Sequence, residues 1–222
     1  MSFIDEIKNR AKKDIKKIVL PESEDDRTLK ATSEVLKQKF AEIILIGNKE
    51  KILKRANELK LNNVEEAEII DPVNSDKYDE FVEKFYELRK NKGMTIEKAK
   101  EYMLDNTYFG MMMVKQGYAD GLVSGAVHST SDTLRPALQI LKTAPGTKLV
   151  SAFFMMIVPN CEFGEDGVFL FSDSGLNENP DSEALSEIAI SSSKSFDLLV
   201  GKEPKIAMLS YSNFGSDKEG SP

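Results

Sequence analysis

Short apolar runs alternate with helix-like stretches along almost all of this 222-residue chain, and that alternation limits its fold more than any other feature. The runs at 18–20, 42–46, 68–70, 119–124, 149–158, 168–172 and 205–210 have the length of strands and lack polar alternation, as strands buried on both faces do. Helical patterns lie between or after them at 25–38, 49–60, 77–91, 95–104, 106–116, 132–142 and 180–198. This order predicts an α/β sandwich on a mainly parallel sheet. An amphipathic helix over 2–14, with Phe3, Ile4, Ile7 and Ala11 on one face, precedes the first strand. In the last helix Asn179 is placed to cap, Pro180 to take the first position, and Asp181 and Glu183 to complement the dipole. Ala184, Leu185, Ile188, Ala189 and Ser192 make its core face. A composition shift at 143–147 marks the domain boundary, giving domains over 1–145 and 146–222.

Composition narrows the function. Hydrophobic residues at 41% and charged residues at 30% describe a globular chain. No run has the length of a membrane helix and the N-terminus has no signal-peptide pattern. With a single cysteine, these features point to the cytoplasm. A net charge of −7 disfavours nucleic-acid binding, but leaves room for a small anion held by local arginines. One histidine and one cysteine exclude a His/Cys zinc site, and no metal is expected. A Ser-His-Asp triad would have to use His128, and no nucleophile-elbow sequence accompanies it.

Residues 119–140 carry the clearest chemistry. A short apolar strand leads into a loop of glycine and hydroxyl residues, then into an amphipathic helix with an arginine near its start. A helix N-terminus presents unpaired N–H groups and the positive end of the macrodipole. Gly125 permits close backbone approach, Ser129, Thr130 and Ser131 add hydroxyl donors, and Arg135 adds a guanidinium fork suited to phosphate or carboxylate. Pro136 fits the first turn, which predicts a helix starting near Asp132 or Thr133. Spacing alone supports equally a phosphate site and simple capping by Asp132.

Val-His-Ser-Thr-Ser-Asp-Thr-Leu-Arg-Pro-Ala-Leu-Gln-Ile (127–140) and Lys-Thr-Ala-Pro-Gly-Thr-Lys-Leu-Val-Ser-Ala-Phe-Phe-Met-Met (142–156) closely resemble the phosphate acetyltransferase (phosphotransacetylase) family. Asp-Arg-Thr-Leu-Lys-Ala (26–31), Glu-Leu-Arg-Lys-Asn-Lys-Gly-Met-Thr (87–95) and Ser-Tyr-Ser-Asn-Phe-Gly-Ser (210–216) fit the same family in the same order, so the resemblance spans essentially the whole chain. It implies three-layer α/β domains flanking a cleft, as in isocitrate and isopropylmalate dehydrogenases, with mainly parallel sheets. It implies an acyltransferase interconverting acetyl-CoA plus phosphate and acetyl phosphate plus CoA by direct transfer in a ternary complex. Coenzyme A is then a substrate, no cofactor is tightly bound, and the full-length form is a homodimer. Members of the family continue past Glu-Gly-Ser-Pro (219–222) and carry their principal catalytic serine–arginine pair and proposed aspartate base there. By that resemblance this chain is an N-terminal portion without the general base, with both domains incomplete and marginal stability.

The resemblance also weights individual residues. Arg27 follows the acidic run Glu22-Ser23-Glu24-Asp25-Asp26, and on its residues alone reads as a helix-start charge paired with a neighbouring carboxylate. The family implies a place for it in the acyl-phosphate pocket. Arg89 ends a helix before Gly93, where a cation serves the dipole; the family implies a contact with a CoA phosphate. Arg135, which on its residues alone could form a surface salt bridge, is implied by the family match to hold the substrate anion. Ser129 and Thr130 suit donation to the acyl phosphate or CoA and helix capping, two roles that can coexist. His128 reads as a hydrogen-bonding structural residue and Cys161 as a small buried hydrophobe, since the thiol of CoA makes an enzyme nucleophile unnecessary. Asp173 suits a cleft-lining or a turn role equally. Met111, Met112 and Met113 read as core. Phosphate butyryl transfer and a non-catalytic ligand-binding module are the alternatives; a dehydrogenase is weak without a strand-linked Gly-x-Gly-x-x-Gly.

Overall fold

The computed structural model describes residues 2–209, and the chain divides between Lys142 and Thr143 into two units. The first contains, in order, α1 (Phe3–Ala11), β1 (Lys16–Leu20), α2 (Asp26–Gln38), β2 (Ala41–Ile46), α3 (Lys49–Glu58), β3 (Glu68–Ile70), α4 (Tyr78–Arg89), α5 (Ile96–Tyr102), α6 (Asn106–Lys115), β4 (Gly121–Leu122) and α7 (Thr130–Ile140). Helix starts follow the expected chemistry. Asp25 accepts the Arg27 N–H, Asn48 the Lys51 N–H, Asp105 the N–H groups of Thr107 and Tyr108, and Ser129 the Asp132 N–H.

The four strands form one parallel sheet in the order β3-β2-β1-β4, with Ile18 opposite Ile43 and Gly121, and Ile44 opposite Glu68. Alternation along the strands feeds two cores. Val19, Ile44 and Ile46 meet Phe81 and Phe85 of α4, Phe109 and Met112 of α6, and Ile140 of α7. Leu20, Ile43 and Leu45 meet Leu29 of α2 and Ile52 and Ala56 of α3. The result is three layers, helices on both faces of a parallel sheet, which explains the unbroken apolar runs. Met111, Met112 and Met113 are buried in the first of these cores.

Several boundaries differ from the sequence reading. The helix expected from Asp132 or Thr133 begins at Thr130, because Ser129 is extended and caps it. Pro136 therefore stands inside the helix, where the Asp132 carbonyl loses its N–H partner; the cap and packing against α6 outweigh that loss. The strand expected over 119–124 is confined to Gly121–Leu122. Helix α1 forms with a Ser2–Asp5 capping box, but none of its residues is buried and Ile4 is exposed.

The second unit contains β5 (Phe153–Ile157), β6 (Val168–Ser172) and α8 (Ser182–Val200). Its sheet is antiparallel, Phe153 opposite Ser172 and Ile157 opposite Val168, which corrects the expectation of mainly parallel sheets in both domains. The physical reason is the connection. Residues 158–167 hold no helix, and a parallel crossover needs a dozen or more residues, usually helical. Asp181, not Asn179, caps α8 by accepting the Ala184 N–H, so Pro180 lies outside the helix. Of its expected core face only Ile188 is buried. Residues 205–209 form no strand, while Ser210 and the motif at 210–216 lie outside the described residues.

Candidate functional site

Strand order locates the site. β2 follows β1 on one side and β4 enters on the other, so the loops leaving the carboxyl ends of β1 and β4 diverge at a topological switch point. In open α/β sheets ligands bind in that crevice. Here the loops are 21–25, which leads to α2, and 123–129, which leads to α7.

The two loops are tied together by a carboxylate that the sequence reading passed over as part of an acidic run. Glu22, its side chain 3% exposed, accepts the N–H groups of Gly125 and Ala126 on Oε2 and those of Val127 and His128 on Oε1, each at 2.8 Å. His128 Nδ1 lies 2.8 Å from Oε1. Burial alone pushes the Glu22 carboxyl up, but the N–H groups of His128, Val127 and Ala126 and the imidazole outweigh it and hold the pKa at about 2. An ionised carboxylate only accepts, so Nδ1 carries the proton in this contact. His128 thus serves hydrogen bonding, as its sequence context suggests.

Backbone donors expected to face a ligand through Gly125, whose φ is +115°, are therefore consumed within the protein. What remains is the start of α7. Ser129 is committed on both sides, accepting the Asp132 N–H at 3.2 Å and donating to its Oδ2 at 2.6 Å. Thr130, the first residue of α7, is exposed, and its hydroxyl makes no hydrogen bond among the described residues.

The arginines separate into two groups. Arg27 grips Asp25 with Nε at 2.9 Å and Nη2 at 3.0 Å, and Nη2 also donates to the Ala126 carbonyl. This is the neighbour pairing its residues suggest, extended to the opposing loop. Arg89 and Arg135 make no ion pair among the described residues, and the Nε of Arg89 is buried without a partner. Both come close enough to Tyr108 for their charge to act on its hydroxyl. Burial pushes the Tyr108 pKa up to about 12, with Tyr102 and Asp105 adding to that rise, while Arg135 and Arg89 pull against it. Helices α4 and α7 thus carry two guanidiniums outside any ion pair among the described residues whose charges both reach Tyr108 of α6, while Arg135 also helps to hold the Asp132 carboxyl down. Tyr108 itself is a core residue, and no local signal in the sequence shows that the charges of two distant arginines reach it.

A depression of about 400 Å³ lies at the opposite, amino-terminal edge of the sheet. Its lining mixes Lys17 and Lys39 with Glu42, Glu66 and Glu68, a balance that offers an anion no net attraction. In the second unit Asp173 accepts the N–H groups of Gly175, Leu176 and Ala152 and the amide of Asn177, the turn-forming role. Cys161 is half-buried, not buried, in the β5–β6 connection, because that turn reaches the surface. Among the described residues no cluster of three or more His, Cys, Asp or Glu could hold a metal, and no helix is long and apolar enough to cross a membrane.

Residues 2–221 match the family described as phosphate acetyl/butaryl transferase. This chain belongs to that family. A phosphate acetyltransferase of Acetivibrio thermocellus is 58% identical over 98% of the chain and 65% of the relative; one of Thermoanaerobacterium thermosaccharolyticum is 57% identical over 97% and 65%. The chain therefore spans just under two thirds of these relatives' length. Among solved structures, a phosphotransacetylase of Streptococcus pyogenes superposes with a TM-score of 0.88 at 36% identity, covering 99% of this chain and 66% of that one. The EutD phosphotransacetylase of Staphylococcus aureus gives 0.84 at 41% identity, over 98% and 63%. The α/β fold of the phosphate acetyl/butaryl transferase family is thus the fold of this chain.

Proposed function

We propose that this chain supplies the CoA- and phosphate-handling elements of an acyltransferase that interconverts acetyl-CoA plus phosphate and acetyl phosphate plus CoA. Transfer is direct, in a ternary complex, and coenzyme A enters as a substrate with no tightly bound cofactor. The observation that carries the reading is the pair Arg89 and Arg135: neither makes an ion pair among the described residues, the Nε of Arg89 is buried without a partner, and the charges of both act on Tyr108. Two guanidiniums outside any described ion pair, in a molecule of net charge −7, are suited to a phosphorylated ligand. They hold a CoA phosphate, while Thr130 and the start of α7 meet the acyl phosphate. Ser129 contributes by fixing that helix start, and Arg27 borders the acyl-phosphate pocket from the start of α2. Charge on the leaving phosphate and on the tetrahedral oxygen is neutralised by such donors without a metal. The base that deprotonates the CoA thiol is not assigned to a residue. The same proposal includes domains at 1–145 and 146–222, an isocitrate/isopropylmalate dehydrogenase-like plan, a homodimeric full-length form and a cytoplasmic location.

The test is CoA-dependent release of phosphate from acetyl phosphate, with butyryl phosphate as the control substrate and calorimetric CoA binding alongside. Arg135→Ala and Arg89→Ala each raise KM or Kd for CoA by about tenfold or more, the size of a lost charge-assisted contact. Unchanged values in both variants remove the assignment.

A further inference from the structure

The Glu22 carboxylate fills a concavity of four successive N–H groups, the arrangement in which proteins often hold an anion supplied by a ligand. Here the anion is the protein's own. Four backbone donors and one imidazole saturate both oxygens, and the side chain is 3% exposed, so no room is left for a ligand phosphate to replace it. A surface loop does not need so many charge-assisted bonds to one buried group merely to connect a strand to a helix. The loop ends at Ser129, the residue whose hydroxyl sets the first turn of α7, and the next residue, Thr130, offers an uncommitted hydroxyl. Arg27 adds a second tie, from α2 to the carbonyl of Ala126, which lies within the same four-residue segment. The loop is thus held at its N–H groups and at a carbonyl, both from the 21–27 side of the switch point.

We propose that Glu22 is a positioning residue for the substrate anion: by gripping 125–128 it sets the entry into α7, and so where Thr130 and Arg135 stand when the anion arrives. The role rests on the acyl-transfer reading above. It acts through the loop and not by contact with substrate, which its burial prevents. A charge-neutral isostere exposes the role. Glu22→Gln places an amide NH₂ against backbone N–H groups, so about half of the grip is lost while the volume is kept.

Three measurements on the 222-residue chain test this. Amide hydrogen exchange at 125–132 reports the grip. The ¹⁵N spectrum of His128, the chain's only histidine, reports the Nδ1–H contact without assignment ambiguity. Calorimetry with acetyl phosphate and with CoA reports the anion site. In Glu22→Gln we expect faster exchange across 125–132, loss of the Nδ1–H signature, and affinity lower by roughly ten- to a hundredfold, the scale on which small displacements of binding groups act. Glu22→Asp, whose shorter carboxylate still accepts some of the donors, gives intermediate values, and provides a folded comparison if Glu22→Gln unfolds. Lost protection with unchanged affinity in either variant overturns the positioning role alone. A wild-type chain with a protected loop that takes up neither ligand overturns the acyl-transfer reading together with it.

Discussion

Gly110 lies where α6 presses on the sheet, and its hydrogen is a condition of that approach. A methyl group there would stand 2.8 Å from Leu122 Cδ1 and 2.9 Å from Val19 Cγ1. The Leu122 end can rotate, but Val19 is fully buried and its branched side chain is stiff. Gly110→Ala should therefore destabilise the fold by about 1–3 kcal/mol, read as a lower urea midpoint with an unchanged slope. Single residues differ in how much of their role the sequence discloses. Arg135 stands out by its place after a hydroxyl loop, and although its charge acts on Asp132 it makes no ion pair among the described residues, which agrees with a ligand role. Arg27 discloses its partner Asp25 two residues away, but not the Ala126 carbonyl. Glu22 discloses nothing, because its partners lie 103 to 106 residues along the chain.

At the scale of elements, the start of α7 separates capping from binding. Ser129 holds the helix start and Thr130 holds nothing. Ser129→Ala should cost about 1 kcal/mol of stability, as loss of an N-cap does. Thr130→Ala should leave the urea midpoint within about 0.5 kcal/mol, as an exposed substitution does, and weaken acetyl phosphate binding. Equal stability losses in the two variants, with binding intact, would reduce this segment to a capping motif. Most elements were readable from local signals: apolar runs for strands, the 3.6-residue period for helices, and Asp105 or Asn48 for their starts. Two features depart from those signals, one where a cap and tertiary packing override a proline and one where a short connection sets the strand pairing. Pro136 suggested a first turn, yet a cap seven residues earlier and packing on α6 extend the helix back past it. The apolar runs of β5 and β6 read as parallel strands, whereas the short connection between them permits only the antiparallel pairing.

For the whole molecule, the consequence is acid sensitivity. Glu22 titrates at about 2 against an ordinary 4.5, and Asp173 at about 2 against 3.8, both held down by N–H donors despite the opposing effect of burial. A carboxyl whose pKa is lower folded than unfolded contributes its full stabilisation above the unfolded value and loses it as pH falls toward the folded one. The window is thus from about pH 4.5 down to about 2, and the Glu22 share is on the order of 3 kcal/mol. Urea midpoints at pH 6, 4 and 3 should fall steeply for the wild type and less so for Glu22→Gln, which starts lower; parallel curves would place the acid sensitivity elsewhere. By itself the sequence determined the α/β class, most of the elements, and the arginines and hydroxyls available for an anion, because periodicity, capping and turn chemistry act over a few residues. Only the tertiary structure decided which loops face each other, that the charges of Arg89 and Arg135 both reach Tyr108, and that Glu22 occupies the backbone donors of 125–128. Those outcomes depend on the strand order β3-β2-β1-β4, which brings distant segments to one sheet edge, and no local pattern along the chain encodes that neighbourhood.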